Sequence, residues 1–273
     1  MRKIAVLFLL ALAAWAGEFK VEKVFPVQGK VSLRGSITAG RIRVKVWDKP
    51  QIRVFMEVKY KGRKPEVEIY REDDEVYFRL RGTGKSKFCL FSCEEISYFA
   101  RVEVDVPKKY SLHLRTVSAD IQVQGGEMEE GEIHTVSGEI ALEGISAEDL
   151  MLKSVSGPIK ARGDGVEEVY ASSVSGDIVL SFSRLGKAKV NSVSGDVYLE
   201  GSSSRRWCVS SVSGDLHLRP LSRVCYMKLS STGGDVVVDS MRISGKVERR
   251  DCEDGLYIKA RTVSGDVLLK IKH

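Results

Sequence analysis

The sequence predicts an all-β fold, a parallel β-solenoid (β-helix) of about 19-residue coils with a less regular β N-terminal region. Three observations carry this expectation. Ser118, Ser137, Ser156, Ser175, Ser194 and Ser213 recur every nineteen residues, each behind a valine and, Ala119 apart, ahead of a glycine. Thr232-Gly233-Gly234-Asp235 continues the series at a spacing of twenty, and Val263-Ser264-Gly265-Asp266 closes it. Around each repeat the apolar residues alternate, and a hydroxyl recurs beside the break in that alternation.

Counting from each repeat serine, position +3 is always Ile, Val or Leu, from Ile121 to Val267. Position +5 runs from Val123 to Leu269. Positions −4 and −6 carry a second apolar pair, for example Leu114 with Leu112 and Val209 with Trp207. Such period-two patterns are strands. Position −1 is Val in every copy but Thr232, and it lies three steps from −4. If both point inward, the chain must turn a corner between them. Ser or Thr at −2, from Thr116 to Thr262, would bond backbone groups at that bend. One repeat cannot bury its own apolar set, so successive coils should stack on parallel ladders about 4.8 Å apart. Glycine at +1 marks a crowded inward spot, because Ala119 replaces it once.

The first sixteen residues have the pattern of a secretory signal peptide. Arg2 and Lys3 precede an apolar run from Ile4 to Ala14, with small residues flanking a cleavage point after Ala16. That run is too short for a normal transmembrane helix. The expected organisation is a signal peptide over 1–16, an N-terminal β region over 17–106 and repeats over 107–273. The last two form one continuous domain outside the cytoplasm, periplasmic, surface-held or secreted. The formal net charge of +6 is modest and its charges are interspersed, which gives nucleic-acid binding little support.

Within 17–106, Ile37-Thr38-Ala39-Gly40-Arg41-Ile42-Arg43-Val44 reads as a worn copy of the repeat. Ile52, Val54, Met56 and Val58 alternate with polar residues in an antiparallel-looking strand that belongs to a first coil or a cap. Toward the C-terminus, Ser244-Gly245-Lys246-Val247 reads as one further worn coil, and the lysines after Leu269 suit an edge strand.

Five cysteines suit an exported chain with disulfides. Cys89 and Cys93 are close enough to bridge locally. Cys208 and Cys225 are expected to meet across adjacent coils. Zinc is the other reading of the cysteines, but neither pair has a matching His cluster. No cofactor, metal or catalytic residue is assigned.

Position +2 is acidic in all copies but Pro158: Asp120, Glu139, Asp177, Asp196, Asp215, Asp235 and Asp266. Such a ladder repels itself unless something offsets it. Hydrogen bonds at a repeating turn are one offset. Cations along the ladder are another, although the calcium-binding nonapeptide is absent. A glycosidase-like pair of carboxylates is the third reading. At +4, Tyr198 and His217 should stack beside Asp196 and Asp215. Asp177, Asp196, Tyr198, Asp215 and His217 are therefore the candidate binding residues.

The Ser-Gly-Asp-Ile/Val copies, the Ala-Gly-Arg-Ile-Arg-Val-Lys-Val-Trp-Asp segment and Val104-Asp105-Val106-Pro107 together resemble the DUF4097 family. That family is described as β-strand-repeat, adhesin-like proteins of bacterial envelopes. The resemblance spans nearly all of residues 30–271. It implies a β-solenoid outside the cytoplasm, and it brings no catalytic residues. The functional expectation is a non-enzymatic binding or structural module at the cell envelope, with an envelope protein or glycan as partner. A secreted carbohydrate-active enzyme and an accessory protein in envelope stress sensing are the alternatives.

Overall fold

The structure, a computed structural model, describes residues 17–82, 97–203 and 205–271. The expected signal peptide and the pair Cys89 and Cys93 lie outside the described residues. Every regular element among those described is a strand. The first are β1 (Gly17–Pro26), β2 (Ser32–Val46), β3 (Gln51–Lys61), β4 (Glu66–Glu72), β5 (Glu75–Arg81) and β6 (Ser97–Val106). The repeats supply β7 (Lys109–Gln124), β8 (Glu127–His134), β9 (Ile140–Lys153), β10 (Ile159–Ser172) and β11 (Ile178–Asn191). They continue in β12 (Val197–Ser202), β13 (Arg206–Ser210) and β14 (Leu216–Pro220). Last come β15 (Val224–Val238), β16 (Met241–Arg250), β17 (Leu256–Arg261) and β18 (Val267–Leu269).

These strands stack into a solenoid-like body with two walls. In one wall Ile121, Ile140, Ile159, Ile178, Val197 and Leu216 are successive partners in parallel ladders. In the other, Leu150, Val169, Ala188 and Trp207 follow one another in the same way. The inward residues at −6, −4, +3 and +5 are buried almost throughout, as the alternation requires. The worn copy in β2 is a true layer: Ile42 pairs with Ile121 and Gly40 with Ala119. The parallel stack ends in antiparallel strands on both sides. At one end β4 pairs with β5, and β3 carries β1 and β6. At the other end β16 runs antiparallel to β15. Such ends leave fewer regular parallel edges open to another chain.

The layers do not follow chain order. β17 lies between β13 and β15, pairing Ile258 with both Trp207 and Met227. β18 lies between β14 and β15, pairing Val267 with Leu216 and Val236. The C-terminal strand is thus interior, not the edge that its lysines suggested. The segment around Ser244 is also not a coil. It is the capping strand β16, and Gly245, at φ 88°, provides its bend. The same backbone bonds join these layers: Val263 and Ser264 N–H donate to Val212 O, and Thr232 and Gly233 N–H donate to Val263 O.

This order also corrects the cysteines. Because β17 separates β13 from β15, Cys208 and Cys225 are not in adjacent layers. Cys225 instead bonds Cys252, and Cys208 is free. Closing a separation of 27 residues stabilises the chain by about 3.5 kcal/mol in the loop-entropy account.

The corner geometry differs from the expectation in one further respect. The valines at −1 face solvent, from 44% exposed at Val136 to 52% at Val263. The inward pair at the bend is Ser/Thr at −2 and Gly at +1, and both are small for a reason. The hydroxyl at −2 accepts the glycine N–H three residues on, as in Gly176 N to Ser173 Oγ at 2.8 Å and Gly214 N to Ser211 Oγ at 2.9 Å. A Cβ on Gly195 would lie 2.3 Å from the carbonyl oxygen of Gly176, backbone that cannot swing aside. The Val-Ser dipeptide is left at the outer tip of the turn.

Candidate functional site

Two outward features repeat along the body. The first is the acidic ladder. Asp177 Oδ1 accepts the backbone N–H of Asp196 at 2.9 Å, and Asp196 Oδ1 accepts that of Asp215 at 2.9 Å. Asp215 Oδ1 accepts the N–H of Asp266 at 2.7 Å, and Asp266 Oδ1 that of Asp235 at 2.8 Å. Each carboxylate therefore binds the donor of the next layer, and the charge-assisted bonds offset the repulsion between rungs. Pro158 has no N–H to give, and the residue beneath it is Glu139, whose carboxylate pairs with Lys160 at 2.7 Å instead. Backbone satisfaction at a repeating turn accounts for this ladder, and the order β14, β18, β15 is written into it.

Tyr198 and His217 do stack, with ring centroids 4.4 Å apart and planes 4° from parallel. They line a shallow groove of about 380 Å³ with Leu268, Glu200, Arg219 and Lys270. Leu268 beside His217 was illegible in sequence, since the two belong to copies separated along the chain. Burial first, and then the charges of Asp196, Asp177 and Asp215, push the Tyr198 phenol above its usual range. It stays protonated at neutral pH and offers a hydrogen-bond donor and a ring face. The structure thus gathers all five candidate residues on one face, in ordinary solvent-facing positions.

The second feature is the corner ridge. Val117, Val136, Val155, Val174, Val193, Val212 and Val263 form one exposed row. Beside it the serines at position zero donate to the valine carbonyl of the layer below, as Ser194 Oγ does to Val174 O at 3.2 Å. The sequence reading missed this row by assigning its valines to the core. The hydroxyl at −2 held the signal: it continues the inward alternation of −6 and −4, and its neighbour at −1 must then face out.

Fold and surface together define an all-β, solenoid-like body that repeats the same outward groups layer after layer. Residues 165–273 match the family model described as Toastrack DUF4097, the resemblance read from the repeats. A crystal structure of a proposed lipid binding protein from Parabacteroides distasonis is similar at 15% identity and a TM-score of 0.55. That match covers 93% of this chain and 97% of the other, and it shows a shared fold. A proposed adhesin from Parabacteroides merdae aligns at 10% identity and a TM-score of 0.45, covering 93% of this chain and 96% of that one. A proposed adhesin from Bacteroides fragilis aligns at 10% identity and a TM-score of 0.41, covering 93% and 97%. No curated protein matches the chain at a significant level. Among the described residues no helix is long and apolar enough to cross a membrane.

Proposed function

We propose that the chain is an exported, non-enzymatic β-solenoid of nineteen-residue coils that serves as a binding module at the cell envelope. The valine ridge carries this reading. Water-facing positions of a soluble β protein favour polar side chains, and a long contiguous apolar row marks an interaction surface. The occupant that suits it is a protein segment. Branched aliphatic side chains offer apolar contact, whereas sugars are gripped by aromatic faces. The ladder of Ser and Asp is largely occupied with interlayer bonds. The ridge stands outside it and is free to make contact.

The test is binding of the full chain to envelope fractions, comparing wild type with the triple variant Val155→Lys, Val174→Lys and Val193→Lys. The substituted positions are exposed, so the fold should survive, which circular dichroism checks. Retention should fall at least tenfold in the variant. Unchanged retention with an intact fold overturns the ridge as the contact surface.

The stacked Tyr198–His217 pair beside Asp196 and Asp215 favours a second reading, a carbohydrate-active site. Turnover of a purified polysaccharide that Asp215→Asn abolishes would support it. Absence of turnover across acidic and neutral polysaccharides would dispose of it.

A further inference from the structure

We propose that His113, Glu130 and Glu132 form a site for a divalent transition-metal cation of the zinc class. The cluster lies on the outer face of the wall that contains β7 and β8. Each of the three residues offers one ligand atom, and these atoms lie within 4.8 Å of one another. The strand pattern builds it. Glu130, Glu132 and His134 alternate outward along β8, and the ladder sets His113 of β7 opposite Glu132. His113 Nε2 stands 3.5 Å from Glu130 Oε2, and its Nδ1 faces the Ser32 hydroxyl at 3.4 Å. A metal-binding histidine commonly holds its second ring nitrogen against an oxygen in this way, which fixes the ring. The imidazole is only 12% exposed, so few rotamers compete.

His134 extends the cluster. Its Nε2 is buried, has no hydrogen-bond partner, and lies 3.3 Å from Glu132 Oε1. Two of the chain's four histidines thus gather around two carboxylates. The nineteen-residue spacing sets His113 opposite Glu132, but the approaches of Glu130 to His113 and of His134 to Glu132 are side-chain placements that the period does not report.

The donor set selects the metal. Imidazole with carboxylate suits zinc and its neighbours, whereas calcium asks for six or more oxygens. Three protein ligands leave a fourth position for water or for His134. Closing the donors to tetrahedral contact at about 2.0–2.2 Å needs a shift of the carboxylate side chains and no backbone change. One native contact opposes binding: Arg115 Nη2 holds Glu132 Oε1 at 3.0 Å. A bound cation would displace it and would tie the layer of β7 to the layer of β8.

Isothermal titration of the full chain with zinc chloride tests the inference. About one equivalent should bind, and calcium chloride should give no comparable signal. His113→Ala and Glu130→Gln should each weaken zinc binding at least tenfold. Arg115→Ala should tighten it several-fold by releasing Glu132, an outcome that a merely structural cluster would not produce. Met241→Ser, an exposed position on the capping strand β16, should leave it unchanged. Zinc binding that is absent, or equal in wild type and His113→Ala, overturns the site. Neither result bears on the valine ridge, so the two proposals fail separately.

Discussion

Removing the segment from Leu256 to the end should cost most of the stability of the fold. In a stack that followed chain order, the last copy would be a terminal layer and its loss would cost one rung. Here β17 and β18 lie inside, and their removal opens a gap between β13–β14 and the β15–β16 pair. Leu256, Ile258, Val267 and Leu269 are all buried. At about 2 kcal/mol for each buried aliphatic side chain, their loss removes on the order of 8 kcal/mol. That is comparable with the whole stability of an ordinary domain, about 5–15 kcal/mol. β15 could move onto β13 and recover the ladder, since it carries the same inward pattern. It would then set Met227 and Leu229 where Ile258 and Ala260 now pack, and Leu in place of Ala overfills a close-packed wall. Urea unfolding of the truncated and intact chains decides the matter. A truncated chain within about 1 kcal/mol of the intact one would mean that the inserted order contributes nothing.

The insertion shows where sequence reasoning stops. The nineteen-residue spacing, the inward residues at −6, −4, +3 and +5, and the hydroxyl bend were all legible, because periodicity reports which face a residue takes. It does not report which copy lies on which. Copies with the same pattern are interchangeable to a pattern argument, so the order β14, β18, β15 could not be read from it. The exposed valines were misplaced for a related reason. Hydrophobicity was taken to mean burial, yet at a tight bend the inward places go to what fits between backbones, glycine and a hydroxyl. Of the candidate site, the stacking of Tyr198 on His217 followed directly from register. Leu268 beside them did not, because the period does not pair the copy at Val212 with the copy at Val263. The His113 cluster was half legible: the period pairs His113 with Glu132, but not the diagonal approach of Glu130.

Trp207→Ala should be the most damaging single truncation in the core, at about 4 kcal/mol. Trp207 is fully buried and heads the largest such side chains. It occupies position −6, where size varies widely from copy to copy. Ala188 lies on one side of it and Ile258 on the other. The indole fills the room that Ala188 leaves, and its Nε1 donates to Leu185 O at 3.4 Å. A comparable shortfall at Gly131 is filled differently: a Cβ there would meet Leu150 Cδ1 at 2.9 Å and Met128 Sδ at 3.3 Å, so those neighbours have already closed in. At 207 the flanking layers are tied by ladders to Ala188 and Ile258, which limits how far they can collapse into the space. Stability in a stack passes from layer to layer, so the damage should be local as well as large. Hydrogen exchange should show β13, β17 and β15 opening together and far more often, while β7 to β10 keep their protection. Trp207→Phe should cost less than half as much, since it leaves a smaller void. Equal protection across the stack in Trp207→Ala would mean that the layers unfold as a single unit, and the layer-by-layer account of this fold would have to be given up.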